Sequence, residues 1–407
     1  MSYSIAMLSV HTSPLDVPGR TKDAGGMNVY IQQLARELGN QQTTVDIYTR
    51  RTNEHQPRIV QLSPHVRVIH ISAGPFMPIP KDKLYPHLST FVQRIDEFKT
   101  AQGLQYDVLH SHYWLSGVAG MRLAQCWDTP HITMFHTLGH LKQLAHPGEA
   151  EPQIRLEMER RLIKHVDRII AATADERMQM IRHCGATAGQ VQVIPCGVDL
   201  KLFVPQNRQF AREKLGLTPD VPVLLFVGRL DPFKGPDLLL RAAAMMEEDA
   251  HIVIVGGKLR DDQELQGLRK LAAELKLGHR VQFLGAQSQQ ALPAIYSAAD
   301  VTVIPSYHES FGLAAVESLA CGTPVVATRS GGLTTIVRDG ETGYLVPHCP
   351  GFFAERLDML LGQPSLLEQM RLAARPSVLR FSWKNIAEQM CNIYDDVLSE
   401  ARQLVAQ

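Results

Sequence analysis

Apolar positions along this chain fall into two alternating patterns. Short β-branched runs, Ile5 to Val10, Val45 to Tyr48, Val66 to Ile71, Val108 to Ser111, Ile132 to Phe135, Ile169 to Ala172 and Val191 to Ile194, read as buried strands. Stretches with apolar residues at helical spacing lie between many of them, at Val29–Leu38, Leu88–Lys99, Leu115–Gln125, Glu157–Val166 and Glu176–His183. The alternation predicts an α/β protein with a parallel sheet covered on both faces. It breaks at Pro195 to Pro205 and then restarts. Val221 to Val227, Ile252 to Val255, Val281 to Leu284, Val301 to Ile304 and the run to Ala327 are the next strands. Helices from Phe352 to Arg375 follow, and a final one from about Trp383 to Val405 is long enough to cross back. Two domains are therefore expected, 1–200 with 383–407 and 201–382, hinged near Pro195–Pro205.

Length and composition agree with that division. At 407 residues the chain is long for one core. With 45% hydrophobic and 20% charged residues it has the make-up of an ordinary globular protein. Forty-one basic residues balance 41 acidic ones, which points to no nucleic acid or other polyanion as partner. Six scattered cysteines without paired spacing suggest a reduced, cytoplasmic compartment. The first ten residues read as a strand rather than a signal peptide, and no apolar run is long enough for a membrane span.

Candidate chemistry concentrates in strand-to-helix loops. Ser306 to Gly312 joins a strand ended by Pro305 to the Ala- and Leu-rich helix from Leu313 to Ala320. Free N–H groups of Ser310, Phe311, Gly312 and Leu313 and the positive end of the helix dipole make this a phosphate-binding turn. Glu309 and Glu317 bracket it. Eight residues of helical rise would separate their backbones by roughly 12 Å, against about 5–9.5 Å for carboxylate pairs that cleave glycosides. The spacing suits an elongated ligand held at both ends better than an acid–base pair; the competing reading is two surface charges around an ordinary helix start. In Gly228-Arg229-Leu230-Asp231-Pro232-Phe233-Lys234-Gly235, two cations follow another strand, Arg229 as a fork and Lys234 as a point charge for a diphosphate.

In the first domain, Asp23-Ala24-Gly25-Gly26-Met27-Asn28 precedes a helix, where Gly25 and Gly26 offer bare N–H groups to a donor. His11, His110, Ser111, His112, Tyr113, His136 and Thr137 are read at strand carboxyl ends, where ligands of such sheets bind. Together these features suggest a nucleotide-diphosphate sugar on the second domain and an acceptor on the first.

Glu309-Ser310-Phe311-Gly312 with Glu317, preceded by Gly228-Arg229-Leu230 and Lys234-Gly235, resembles the donor signature of retaining glycosyltransferase family 4. The resemblance implies the GT-B fold, two Rossmann-like domains facing a central cleft that closes to exclude water. It implies that Arg229 and Lys234 bind the donor diphosphate, Glu309 the donor sugar and Glu317 the ribose. It also implies that His136 meets the transferred sugar near the reacting carbon. His136, Arg229, Lys234 and Glu309 are then the catalytic set. No metal is required, since no Asp-x-Asp motif appears; Mg2+ is expected at most to stimulate.

Two branches of the family share further motifs. Asp23 to Tyr30, His11 to Leu15 and His110 to Gly117 are similar to the inositol-phosphate N-acetylglucosaminyltransferases of mycothiol synthesis. His136-Thr137-Leu138-Gly139 with Lys142 looks like sucrose-phosphate synthases, although Met27 stands where those carry Gln. Both branches imply a phosphorylated acceptor gripped by Lys81, Arg155, Tyr113 and Thr137, with His11, Asp23 and Asn28 beside it. The first expectation is UDP-glucose with fructose 6-phosphate, giving sucrose 6-phosphate; the alternative is UDP-N-acetylglucosamine with inositol phosphate. The chain ends soon after its last helix, so a separate phosphatase is expected to act on the product. A nucleotide-dependent dehydrogenase is disfavoured by the long His11–Asn28 loop, which lacks the tight glycine fingerprint. A non-catalytic sugar-nucleotide sensor is the rival of another class.

Overall fold

The computed structural model describes residues 3–17, 24–145, 151–258 and 262–405. The chain divides into two compact units. Unit 1 comprises Met1–Asp16, Gly26–Pro195 and Trp383–Gln407, and unit 2 comprises Val17–Gly25 and Cys196–Ser382.

Unit 1 is built on strands β1 (Ser4–Ser9), β2 (Thr44–Arg50), β3 (Ile59–Ser63), β4 (Val66–Ile71), β5 (Val108–His112), β6 (His131–Met134), β7 (Arg168–Ala171) and β8 (Val191–Val193). Among the described residues they form one sheet in the order β3-β4-β2-β1-β5-β6-β7-β8. Every pairing is parallel except β3 with β4. β3 carries no strand signal because it is an antiparallel edge, half-exposed, with Gln61 and Ser63 in a register shift. β1 is buried on both faces, which is why Ile5 to Leu8 reads as a continuous apolar run.

The helix Trp383–Val405 belongs to unit 1 and packs on the helix Gly26–Asn40. Trp383, Ile386, Ala387, Met390, Tyr394 and Val397 supply its buried face at three- and four-residue steps. The larger aliphatic side chains among them, such as Ile386 and Met390, each contribute about 1.5–3 kcal/mol when fully buried. Tyr394 also reaches the sheet, its hydroxyl 3.0 Å from His110 Nδ1.

Unit 2 carries β9 (Val223–Val227), β10 (His251–Val255), β11 (Val281–Gly285), β12 (Val301–Ile304), β13 (Val325–Thr328) and β14 (Gly343–Val346). Their order is β11-β10-β9-β12-β13-β14, all parallel. Strand order reverses around β9, so the loops after β9 and β12 lie side by side at the switch point, where open α/β sheets bind ligands. Both units are Rossmann-like, as the GT-B expectation requires.

Candidate functional site

In unit 2 the two predicted loops interlock. Tyr307 N donates to the carbonyl of Phe233 at 2.9 Å, tying the loop after β12 to the loop after β9. Gly235 stands at that crossing with φ 66°, and a Cβ there would lie 2.3 Å from the Pro305 carbonyl oxygen. Only glycine combines that backbone with that approach. Lys234 Nζ is 2.6 Å from Glu309 Oε2, and Ser306 Oγ donates to the same oxygen at 3.3 Å. Arg229 pairs with Asp231 at 3.2 Å. Both predicted cations thus already carry a carboxylate.

Gly312 (φ 110°) opens the helix Leu313–Ala320. The Phe311 side chain is buried edge-on against Phe381, ring centroids 5.6 Å apart, so Phe311 offers a ligand its backbone only. Ser310 and Leu313 flank it half-buried. Behind the turn, Gly332 N donates to the Glu309 carbonyl at 2.8 Å, so the Ser330–Leu333 loop serves as its backing. Glu317 is buried and accepts a hydrogen bond from the Tyr296 hydroxyl at 2.9 Å. Burial pushes its carboxyl up to about 7 despite that bond.

In unit 1 the polar rim needs correcting. β5 continues to His112, so His110 and Ser111 lie within the strand rather than at its end, and both are fully buried. Ser111 Oγ binds His131 Nε2 at 2.8 Å and Thr133 Oγ1 at 2.9 Å. Beyond the strand ends the structure brings together His11, Tyr113, His136, Thr137 and Arg155. Tyr113 and His136 have φ of 76° and 58°, left-handed values that cost non-glycine residues energy and cluster at functional sites. His136 Nε2 is 3.1 Å from His112 Nδ1. Burial, with the neighbouring His110 and His11, pushes His136 down to about 3, so it is neutral at neutral pH.

The His11 ring packs on Tyr113 with centroids 4.4 Å apart, and the Arg155 guanidinium lies over the Tyr113 ring, 5.0 Å from its centroid. Arg155 is buried and its nitrogens are committed. Nε donates to Glu159 at 2.7 Å, Nη1 to Glu151 at 2.7 Å, and Nη2 to the Thr137 carbonyl at 2.7 Å. Asn28 donates to Thr12 Oγ1 at 2.8 Å and to the Ser13 carbonyl, bracing the loop that follows His11.

Gly26 begins the helix Gly26–Asn40, and a Cβ on Gly25 would meet nothing within 4 Å. Lys81 starts a short turn four residues before Tyr85, whose hydroxyl reaches Met158 on the Arg155 helix. Asp23 lies outside the described residues. Glu151, Glu159 and Tyr296 escaped the sequence reading. The helix-spaced ion pair Arg155–Glu159 was the available signal, and it reads as a solvated face.

Two Rossmann-like α/β units with glycine-turn loops at strand carboxyl ends match the GT-B fold of glycosyltransferases. The model of the Glycosyltransferase Family 4 domain matches residues 24–202, and that of glycosyl transferases group 1 matches residues 207–376. The D-inositol 3-phosphate glycosyltransferase of Nocardiopsis dassonvillei is 41% identical, over 96% of this chain and 94% of that one. The enzyme of the same name from Acidothermus cellulolyticus is 42% identical over 99% and 92%. Among solved structures, sucrose-phosphate synthase from Thermosynechococcus elongatus superposes with a TM-score of 0.91 at 36% identity, covering 98% of this chain and all of that one. The chain belongs to this glycosyltransferase family. Among the described residues no helix is long and apolar enough to cross a membrane.

Proposed function

We propose that the protein transfers a sugar, with retention, from a nucleoside diphosphate sugar to a phosphorylated polyol, and that the polyol is D-inositol 3-phosphate. The observation that carries the phosphate is the Arg155 guanidinium, buried yet flanked by exposed Thr137 and half-exposed Lys142. Relatives named for inositol 3-phosphate, similar over nearly the whole chain, support the choice of polyol. This reverses the order expected from the His136–Lys142 run. The similarity to sucrose-phosphate synthase favours fructose 6-phosphate as the second reading.

Unit 2 is read as the donor side. Negative charge grows on the diphosphate as the sugar leaves, and Arg229, Lys234 and the N–H groups of the Gly312 turn act where it develops. The diphosphate takes Lys234 from Glu309, releasing that carboxylate to accept sugar hydroxyls. Glu317 accepts from the ribose. Unit 1 is read as the acceptor side, with neutral His136 as a hydrogen-bond partner of the transferred sugar.

Incubation with UDP-N-acetylglucosamine and D-inositol 3-phosphate, with products resolved by mass spectrometry, tests the assignment. The expected product is the α-linked glycoside with its phosphate retained. Sucrose 6-phosphate from UDP-glucose and fructose 6-phosphate, with inositol phosphate untouched, would select the second reading.

A further inference from the structure

Two cations beside the proposed acceptor site share one carboxylate. Glu151 Oε1 accepts from Lys142 Nζ at 2.7 Å, and Glu151 Oε2 accepts from Arg155 Nη1 at 2.7 Å. An anion whose two oxygens bridge an ammonium and a guanidinium makes the contacts that two non-ester oxygens of a phosphate monoester would make. Burial alone would raise the Glu151 carboxyl, yet Lys142 and Arg155 outweigh it and hold it below the usual range.

The two carboxylates on Arg155 are not equivalent. Glu159 lies within the helix Gln153–His165, is buried, and also accepts from the Gly139 backbone N–H at 2.9 Å. It is fixed by the fold. Glu151 precedes that helix and its Pro152 cap, and among the described residues its carboxylate accepts from the two side-chain cations. Rotating its side chain outward breaks two ion pairs and leaves the helix, the Glu159 pair and the Thr137 contact in place.

Charge decides what can replace it. Arg155, Lys142, Glu151 and Glu159 sum to zero, so a neutral hydroxyl in place of Glu151 would leave a buried excess positive charge. A phosphate, at −1.5 to −2 near neutral pH, more than replaces the single negative charge that Glu151 withdraws. Resting on the acceptor-phosphate reading, we propose that Glu151 is a specificity-determining placeholder. It neutralises Arg155 and Lys142 in the empty site and yields only to a phosphorylated acceptor.

Binding of inorganic phosphate to the full chain, followed by calorimetry, tests this without turnover. Glu151→Gln keeps the shape and removes the competing charge, so phosphate should bind about tenfold tighter. Glu151→Asp, which draws the carboxylate back, should tighten binding less and serves if the Gln variant misfolds. Glu157→Gln, at an exposed carboxylate on the Arg155 helix bonded to Gln153, should match the native chain. Arg155→Lys should weaken phosphate in both the native and the Glu151→Gln backgrounds. Unchanged or weaker phosphate binding in both Glu151 variants, with Arg155→Lys still harmful, would overturn the placeholder and leave the phosphate reading standing. If Arg155→Lys has no effect in either background, the phosphate reading itself falls.

Discussion

Lys234 Nζ lies 2.6 Å from Glu309 Oε2, a contact between loops 75 residues apart in sequence. The pair is only partly exposed, 24% and 18%, so it is screened less than a surface ion pair. It also shows what a diphosphate must displace. Lys234→Ala should leave the fold intact by circular dichroism and lower kcat by about 10²–10³-fold, the loss of one group aimed at developing charge. Turnover within threefold of native would remove Lys234 from the donor site.

Glu317 gives a pH signature. Its carboxyl is raised to about 7 by burial, so the folded state favours the protonated form. The sign follows: Glu317 stabilises the fold fully below its unfolded pKa near 4.5, and this contribution is lost as pH rises through about 7. Glu317→Gln should therefore gain in Tm relative to the native protein between pH 5 and pH 8. A ribose donating hydroxyls to the carboxylate favours the anion, so UDP binding near pH 7 should release protons. Calorimetry in buffers of different ionisation enthalpy measures that release. Its absence, or its persistence in Glu317→Gln, would separate Glu317 from the nucleotide.

His136 should stay neutral across the working range, because burial drives its pKa to about 3. Its ring nitrogens in NMR spectra should not titrate between pH 5 and 8. Titration near 6.5 would contradict the His112–His136 contact.

The fold was largely legible because parallel strands buried on both faces write unbroken β-branched runs, as in Val301–Ile304. The edge strand Ile59–Ser63 was not, since exposure and antiparallel pairing erase that signal. The Gly312 turn was legible from local spacing alone. His110 was misplaced on the rim because β5 runs on to His112, and Tyr394, 284 residues later, packs against it. Glu317 lost its surface character in the same way, through Tyr296 on a separate helix. Charged residues such as Glu151 carry no mark of burial in sequence. Their partners arrive through tertiary packing.

The central claim is sugar transfer onto a phosphorylated polyol, and the most direct measurement is the kcat/KM ratio for D-inositol 3-phosphate over myo-inositol with one saturating nucleotide sugar. Two charge-assisted hydrogen bonds to phosphate, at 1.5–3 kcal/mol each, predict a ratio of about 100 or more. Arg155→Lys should bring it down sharply by raising the KM of the phosphorylated acceptor. A ratio near one, in the native protein and the variant alike, would contradict the account.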